Sequence, residues 1–289
     1  RGPSQDWFHA REIWIYTILA GAGAYVFAIH TMTARHPFFD RALLRDRNFL
    51  ISTSLGFFVG VLLFSSMALL PTMMETIMGY PVETTGLVSM PRGVGSFLSM
   101  FIVGQLITRI DVRALVLTGL TLSAAAVWWM THFSLQMDSH IIIWSGLVQG
   151  LGTGMIFVPL STLAFATLPR ALRTEGAAVY TLTRNIGSSI GISLMQAQHV
   201  AAVQVNHERL TESVTAGAAN LQAYLGSAMD PATQAGAAVM NAMLGRQAAM
   251  LAYVGDFKTL LALTFLCAPL LLILRKPKGA DGETHVVTE

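Results

Sequence analysis

Long windows of the chain are apolar on every side of a helical projection, not along one face and not at alternate positions. A membrane-spanning helix needs roughly 20 mostly apolar residues, and about seven windows meet that measure. They are 13–32, 49–74 (with Pro71 late in it), 86–107, 114–131, 141–168, 176–202 and 248–274. The window 141–168 is long enough to tilt. All are predicted to be helices, because backbone groups in lipid must pair within the segment and no stretch alternates like a barrel strand. The expected fold class is therefore an all-α polytopic membrane protein. Between the last two windows lies a polar, Ala-rich segment, 206–246, broken by Glu208, Arg209, Glu212 and Asp230-Pro231. It is expected to be external and helical in pieces. The tail 279–289 is polar and expected to be disordered.

Composition sharpens this picture. Of 289 residues, 53% are hydrophobic and 12% charged, and the mean hydropathy is +0.57. A soluble domain carries about 25% charge. The net charge of +2 gives no support to a nucleic-acid partner. The single cysteine, Cys267, excludes an internal disulfide and reads as a small buried hydrophobe. The chain opens Arg1-Gly2-Pro3-Ser4, with neither Met nor a signal-peptide pattern, and reads as a fragment whose upstream part is missing.

Loop charges set the expected orientation. Arg35, Arg41, Arg45 and Arg47, then Arg109 and Arg113, then Arg170 and Arg173, then Arg275, Lys276 and Lys278 fall on one side. Arg1, Arg11, Arg209, Arg246 and Lys258 fall on the other. The richer set lies in short loops at span ends and is assigned to the cytoplasm. The expected layout is an external N-terminal segment and first span in 1–34, a six-helix bundle in 35–278, and the tail.

Charges within lipid are costly and are functional candidates by default. Arg92, between Pro91 and Gly93, reads as a snorkelling anchor or as part of an outer gate that pairs with Glu75, Glu83 or Asp256. Arg184, with Asn185 and Ser188, forms a polar face that lines a water-filled cavity or pairs with a neighbouring helix. Asp256 reads as a local ion pair with Lys258 or as a proton-carrying carboxylate. Gly146, Gly150 and Gly154, and separately Gly187 and Gly191, recur at four-residue spacing. Such stripes let helix backbones approach closely, either as fixed packing or as a sliding contact. His132, Asp138 and His140 share a short loop without metal-site spacing, so no metal is expected. No nucleophile elbow, phosphate loop or zinc-protease helix is present, and no organic cofactor is expected.

The loop Gly104-Gln105-Leu106-Ile107-Thr108-Arg109-Ile110-Asp111-Val112-Arg113 carries a resemblance. It is similar to the signature loop of the major facilitator superfamily, Gly-x-x-x-Asp-Arg-x-Gly-Arg-Arg. Gly104, Arg109 and Arg113 match; Thr108 stands at the Asp position and Asp111 at the second Gly position. Asp111 is also placed to cap the following helix. Asp6-Trp7-Phe8, Arg45-Asp46-Arg47-Asn48-Phe49, Met90-Pro91-Arg92-Gly93, Arg184-Asn185-Ile186-Gly187 and the stretch from Gln247-Ala248 through Tyr253, Asp256 and Phe257 resemble the EmrB/QacA-type 14-helix drug:proton antiporters in the same order.

The resemblance implies the major facilitator fold: one linker helix followed by the C-terminal six-helix bundle, in the bacterial inner membrane. It implies proton-driven multidrug efflux by alternating access, with lipophilic or amphipathic substrates, protons, an N-terminal half supplied elsewhere and a periplasmic adaptor protein as partners. Gln149-Gly150-Leu151-Gly152 echoes a motif of the N-terminal half in which an Arg stands where Gly146 stands here. That places Gln149 as the polar candidate in the cavity, with the second and fifth spans as its wall and the sixth span as the contact between halves. Two alternatives are a major facilitator transporter of another solute, such as a siderophore or metabolite, and a membrane-embedded transferase.

Overall fold

The computed structural model describes residues 11–33, 40–216 and 234–273. The expected N-terminal segment 1–10, the tail 279–289 and the charges Arg35, Arg275, Lys276 and Lys278 lie outside the described residues. So does Asp6-Trp7-Phe8.

All regular structure among the described residues is helical: α1 (Arg11–Thr33), α2 (Arg41–Arg45), α3 (Arg47–Thr76), α4 (Val82–Leu106), α5 (Val112–Met130), α6 (Ser139–Ala166), α7 (Arg173–Ala216) and α8 (Gln234–Ile273), with a 3-10 turn at Arg170–Leu172. The starts follow local chemistry. Asp40 accepts from the Ala42 N–H and caps α2. Asp46 accepts from the Phe49 N–H at 2.9 Å and caps α3. Asp111 accepts from the Arg113 N–H at 3.1 Å and caps α5. Gly79 closes the α3–α4 turn at φ 69°, where a side chain would be strained.

Among the described residues five helices are long and apolar enough to cross a membrane: α3, α4, α5, α6 and most of α8. In α1 only Trp14–Gly23 forms a shorter apolar stretch, and its described side chains are exposed. The window expected as the sixth span lies in α7 and falls short of the same apolarity. Arg184, Asn185, Ser188, Gln196, Gln198 and His199 account for that. It nonetheless packs alongside α3. Gly176 lies against Phe49, Gly187 against Phe57 and Gly191 against Val61, so the two helices run parallel.

Of the segment 206–246, expected to be helical in pieces, residues 217–233 lie outside the described residues and the two flanks are helical. Residues 206–216 continue α7 and residues 234–246 continue α8 without a break. At 1.5 Å per residue α7 is about 66 Å long, well beyond a hydrocarbon core of about 30 Å. The extension is tied down where it meets the bundle. Arg246 donates to the Ile77 carbonyl at 2.8 Å, and Asn206 donates to the Ala248 carbonyl at 3.4 Å.

Two apolar clusters fill the bundle. One, at the end where α3 stops, gathers Met73, Met74, Met130, Phe133, Tyr253 and Phe257. The other, at the opposite end, gathers Leu43, Phe49, Leu163, Leu168 and Tyr180.

Candidate functional site

Asp256 lies in α8 with none of its side chain exposed. The sequence offers Lys258 as its partner, but residues two apart on a helix point in different directions, and Lys258 is exposed. Asp256 is instead held from α7. His199 Nδ1 lies 2.8 Å from its Oδ2, and the Gln198 amide donates to its Oδ1 at 3.2 Å. The same amide donates to the Thr259 hydroxyl at 2.8 Å. The His199 ring packs on Tyr253, with centroids 4.1 Å apart. His199 and Tyr253 line a cavity of about 260 Å³ between α3, α7 and α8, together with Ser65, Thr72 and Gln196. A buried carboxylate therefore meets an imidazole at the edge of a cavity.

Sequence reasoning misses His199. A signal for it exists, since Gln198-His199 interrupts the sixth apolar window. The pairing with Asp256 spans 57 residues and two helices.

Gln149 is 1% exposed and does not face open space. Its amide donates to the Ser66 hydroxyl at 2.8 Å, and that hydroxyl lies 3.1 Å from its Oε1. The pair clamps α6 to α3, beside a small void lined by Leu62, Ser123 and Thr264. Hydrogen bonds between membrane helices average about 0.6 kcal/mol and reach about 1.7. Gln149→Leu is expected to lower stability within that range, read as a fall in the thermal unfolding midpoint of the detergent-purified protein. A loss of folded protein would mean that the pair does more than clamp.

The glycine stripes hold helices in close register. A Cβ at Gly150 would collide with the Arg92 carbonyl oxygen, and one at Gly154 would come within 2.7 Å of the Ser96 carbonyl oxygen. At Gly146 the nearest atom is the Arg92 Cβ at an ordinary 3.7 Å. On the other side of the bundle, Cβ atoms at Gly187 and Gly191 would strike the α3 backbone at Phe57 and Val61.

Arg92 donates to the Leu63 carbonyl at 3.3 Å. Among the described residues no carboxylate pairs with it. Glu75 and Glu83 are exposed, and Asp256 is taken by His199 and Gln198. Arg184 sits over the Phe157 ring at 5.2 Å, with its backbone carbonyl oxygen 2.5 Å from where a Gly60 Cβ would stand. Ser188 donates back to the Asn185 carbonyl at 2.7 Å, and Asn185 is exposed. In the α4–α5 loop, Arg109 and Asp111 are exposed, Arg113 is half-buried, and a Cβ at Gly104 would meet nothing. No group of three or more His, Cys, Asp or Glu could hold a metal among the described residues.

Comparison with known proteins adds a family. The model described as Major Facilitator Superfamily matches residues 6–192. The multidrug export protein EmrB of Escherichia coli K12 is 29% identical over 224 residues, covering 77% of this chain and 44% of that protein. The fatty acid resistance protein FarB of Neisseria gonorrhoeae is 29% identical over 224 residues, covering 76% and 44%. The lincomycin resistance protein LmrB of Listeria monocytogenes is 26% identical over 211 residues, covering 70% and 45%. The chain thus spans less than half the length of these relatives. A solved bacterial homologue of the human lysosomal transporter Spinster, inward-facing and unoccupied, superposes with a TM-score of 0.54 at 16% identity, covering 86% of this chain and 53% of the other. At that identity the likeness concerns the fold alone.

Proposed function

Because the chain belongs to the Major Facilitator Superfamily, we propose that it forms one six-helix wall of a proton-driven exporter of lipophilic or amphipathic compounds. Membership of a transporter family removes the transferase alternative. Relatives named for multidrug export, fatty acid resistance and lincomycin resistance support an exporter and differ in substrate. The bacterial inner membrane is the corresponding location.

The observation that carries proton coupling is the buried Asp256–His199 pair. An ionisable residue inside a membrane helix is a proton-relay candidate. Here the carboxylate is fully buried, its imidazole partner is 18% exposed, and the two come from different helices. A proton arriving through the cavity reaches His199 first. Adding it changes the charge of the pair from negative to neutral, and with it the attraction between α7 and α8. Alternating access needs that kind of bias on a helix contact.

The α3–α7 contact at Gly187 and Gly191 supplies a close backbone interface that admits small sliding shifts. Arg109, Asp111 and Arg113 place charges in the loop between α4 and α5. Gln149 holds α6 to α3 so that the wall moves as a unit.

The test uses inside-out vesicles carrying the full-length transporter and a fluorescent lipophilic drug. An acid interior should drive drug uptake, and an uncoupler should abolish it. Uptake that needs ATP and ignores the pH gradient would overturn the reading.

A further inference from the structure

The void beside the Gln149–Ser66 clamp lies where α3, α5, α6 and α8 meet. The centre of a water-sized sphere has about 10 Å³ to occupy in it, which is room for one water molecule. Every side chain lining it is buried, Leu62, Val127 and Leu260 among them. A void with purely apolar walls stays dry. This one has three polar side chains in its wall, one each from α5, α6 and α8: Ser123, Gln149 and Thr264.

These three are 5%, 1% and 4% exposed, and their hydrogen-bonding capacity is only partly used. The Ser123 hydroxyl offers one donor and two lone pairs, and it has no partner among the described residues. It is turned toward α6, since a Cβ at Gly152 would come within 2.5 Å of its oxygen. Gly152 and Gln149 are three residues apart on α6 and so share a face. Thr264 donates to the Leu260 carbonyl at 2.8 Å, which leaves the lone pairs of its oxygen. Gln149 commits one amide N–H to Ser66, which leaves the other.

A buried hydroxyl without a partner is destabilising, and folded proteins satisfy such groups with protein atoms or ordered water. The unused groups around this void suit water on both counts. An N–H and an O–H are there to give, and lone pairs are there to take. All three side chains are neutral, so they do not offset the cost of placing a cation among apolar walls.

We propose that the void is a binding site for one structural water, which accepts from Ser123 and from the Gln149 amide and donates to the Thr264 oxygen. The water joins α5, α6 and α8, and through Ser66 it also joins α3. A bridging water is nearly as favourable in enthalpy as a direct hydrogen bond. It lets four helices share one polar node where no direct bond joins Ser123 to Thr264. The site concerns the packing of this bundle and is independent of the exporter reading.

Ser123→Ala in the purified full-length protein separates a hydrated node from a dry one by sign. In a dry void the change removes an orphaned hydroxyl, and the thermal unfolding midpoint rises. With water bound it removes one of the ligand's partners, and the midpoint should fall by about 2–4 °C. Thr264→Val keeps the side chain's shape and takes a second partner from the same water. The double variant should therefore lose less than the sum of the single losses. A structure at a resolution that shows ordered water should place one molecule within hydrogen-bond reach of the Ser123 and Thr264 oxygens. A rise for Ser123→Ala overturns the site, as does a map with ordered water elsewhere in the bundle and none here. Strictly additive losses would mean that the two side chains hold no ligand in common, and overturn it too. A midpoint that rises when sodium replaces N-methylglucamine, in the wild type and not in Ser123→Ala, would assign the node to a cation and also overturns it.

Discussion

Gly150→Ala is expected to unseat α4 from α6, whereas Gly146→Ala, one turn earlier on the same face, is expected to be tolerated. Both changes add one methyl group and both gain helix propensity of about 1 kcal/mol. The surroundings separate them. At Gly150 the new Cβ meets the Arg92 carbonyl oxygen, the Arg92 carbonyl carbon at 2.9 Å and the Ser96 nitrogen at 3.0 Å. These are backbone atoms of a continuous helix and cannot rotate aside. At Gly146 the nearest atom, 3.7 Å away, is already at van der Waals distance. Inserting an extra methyl into a packed contact costs about 1–3 kcal/mol, and a collision with backbone on three atoms belongs at the upper end. Thermal unfolding of the full-length protein in detergent should place Gly150→Ala clearly below the wild type and Gly146→Ala at or slightly above it. The reverse ranking would mean that α4 and α6 do not meet along this stripe.

Much of this arrangement is legible in the amino-acid sequence. Membrane helices announce themselves by apolar length, because nothing else satisfies a backbone in lipid. The windows 49–74, 86–107, 114–131 and 141–168 each fall within one helix, or overrun one by a residue or two. Asp111 is legible as a cap because capping is local chemistry. The extents of α7 and α8 are not legible. Alanine, glutamine and methionine in 206–246 favour helix, but whether a helix continues past the lipid depends on its partner, and Arg246 finds its acceptor at Ile77, far away in sequence.

Polar side chains inside spans divide the same way. Their positions stand out, while their partners do not. Asp256 is visible, but the sequence points it to the wrong neighbour, because Lys258 is close along the chain and His199 is close in space. Gln149 is visible as a polar group at mid-span. Its burial against Ser66 needs the α3–α6 crossing, which no periodicity encodes. Arg92 reads from the sequence as a snorkelling anchor or as a gate with an acidic partner, and among the described residues its hydrogen-bond acceptor is the Leu63 carbonyl oxygen.

The Asp256–His199 pair yields the prediction with the largest expected functional effect. Asp256→Asn preserves the shape of the side chain and leaves an oxygen to accept from Gln198 or His199, but it removes the group that exchanges a proton. Its stability cost should be that of weakened hydrogen bonds, about 1–3 kcal/mol. The transporter should therefore still reach the membrane. Proton-driven export should fall to background while drug binding persists, because only the coupling step needs the titrating carboxylate. Asp256→Ala should behave differently. It strips the acceptor from both His199 and Gln198, and breaking a buried pair costs about 3–5 kcal/mol, so folded protein should fall as well. His199→Gln supplies the control: it keeps a donor to Asp256 but cannot hold a proton. If His199 delivers protons from the cavity, this variant should slow gradient-driven export and leave exchange of drug for drug across the membrane unaffected. Measuring surface expression, drug binding and both transport modes for the three variants separates coupling from packing. Asp256→Asn with normal gradient-driven export would remove the pair from the proton path and leave it a polar clasp between α7 and α8.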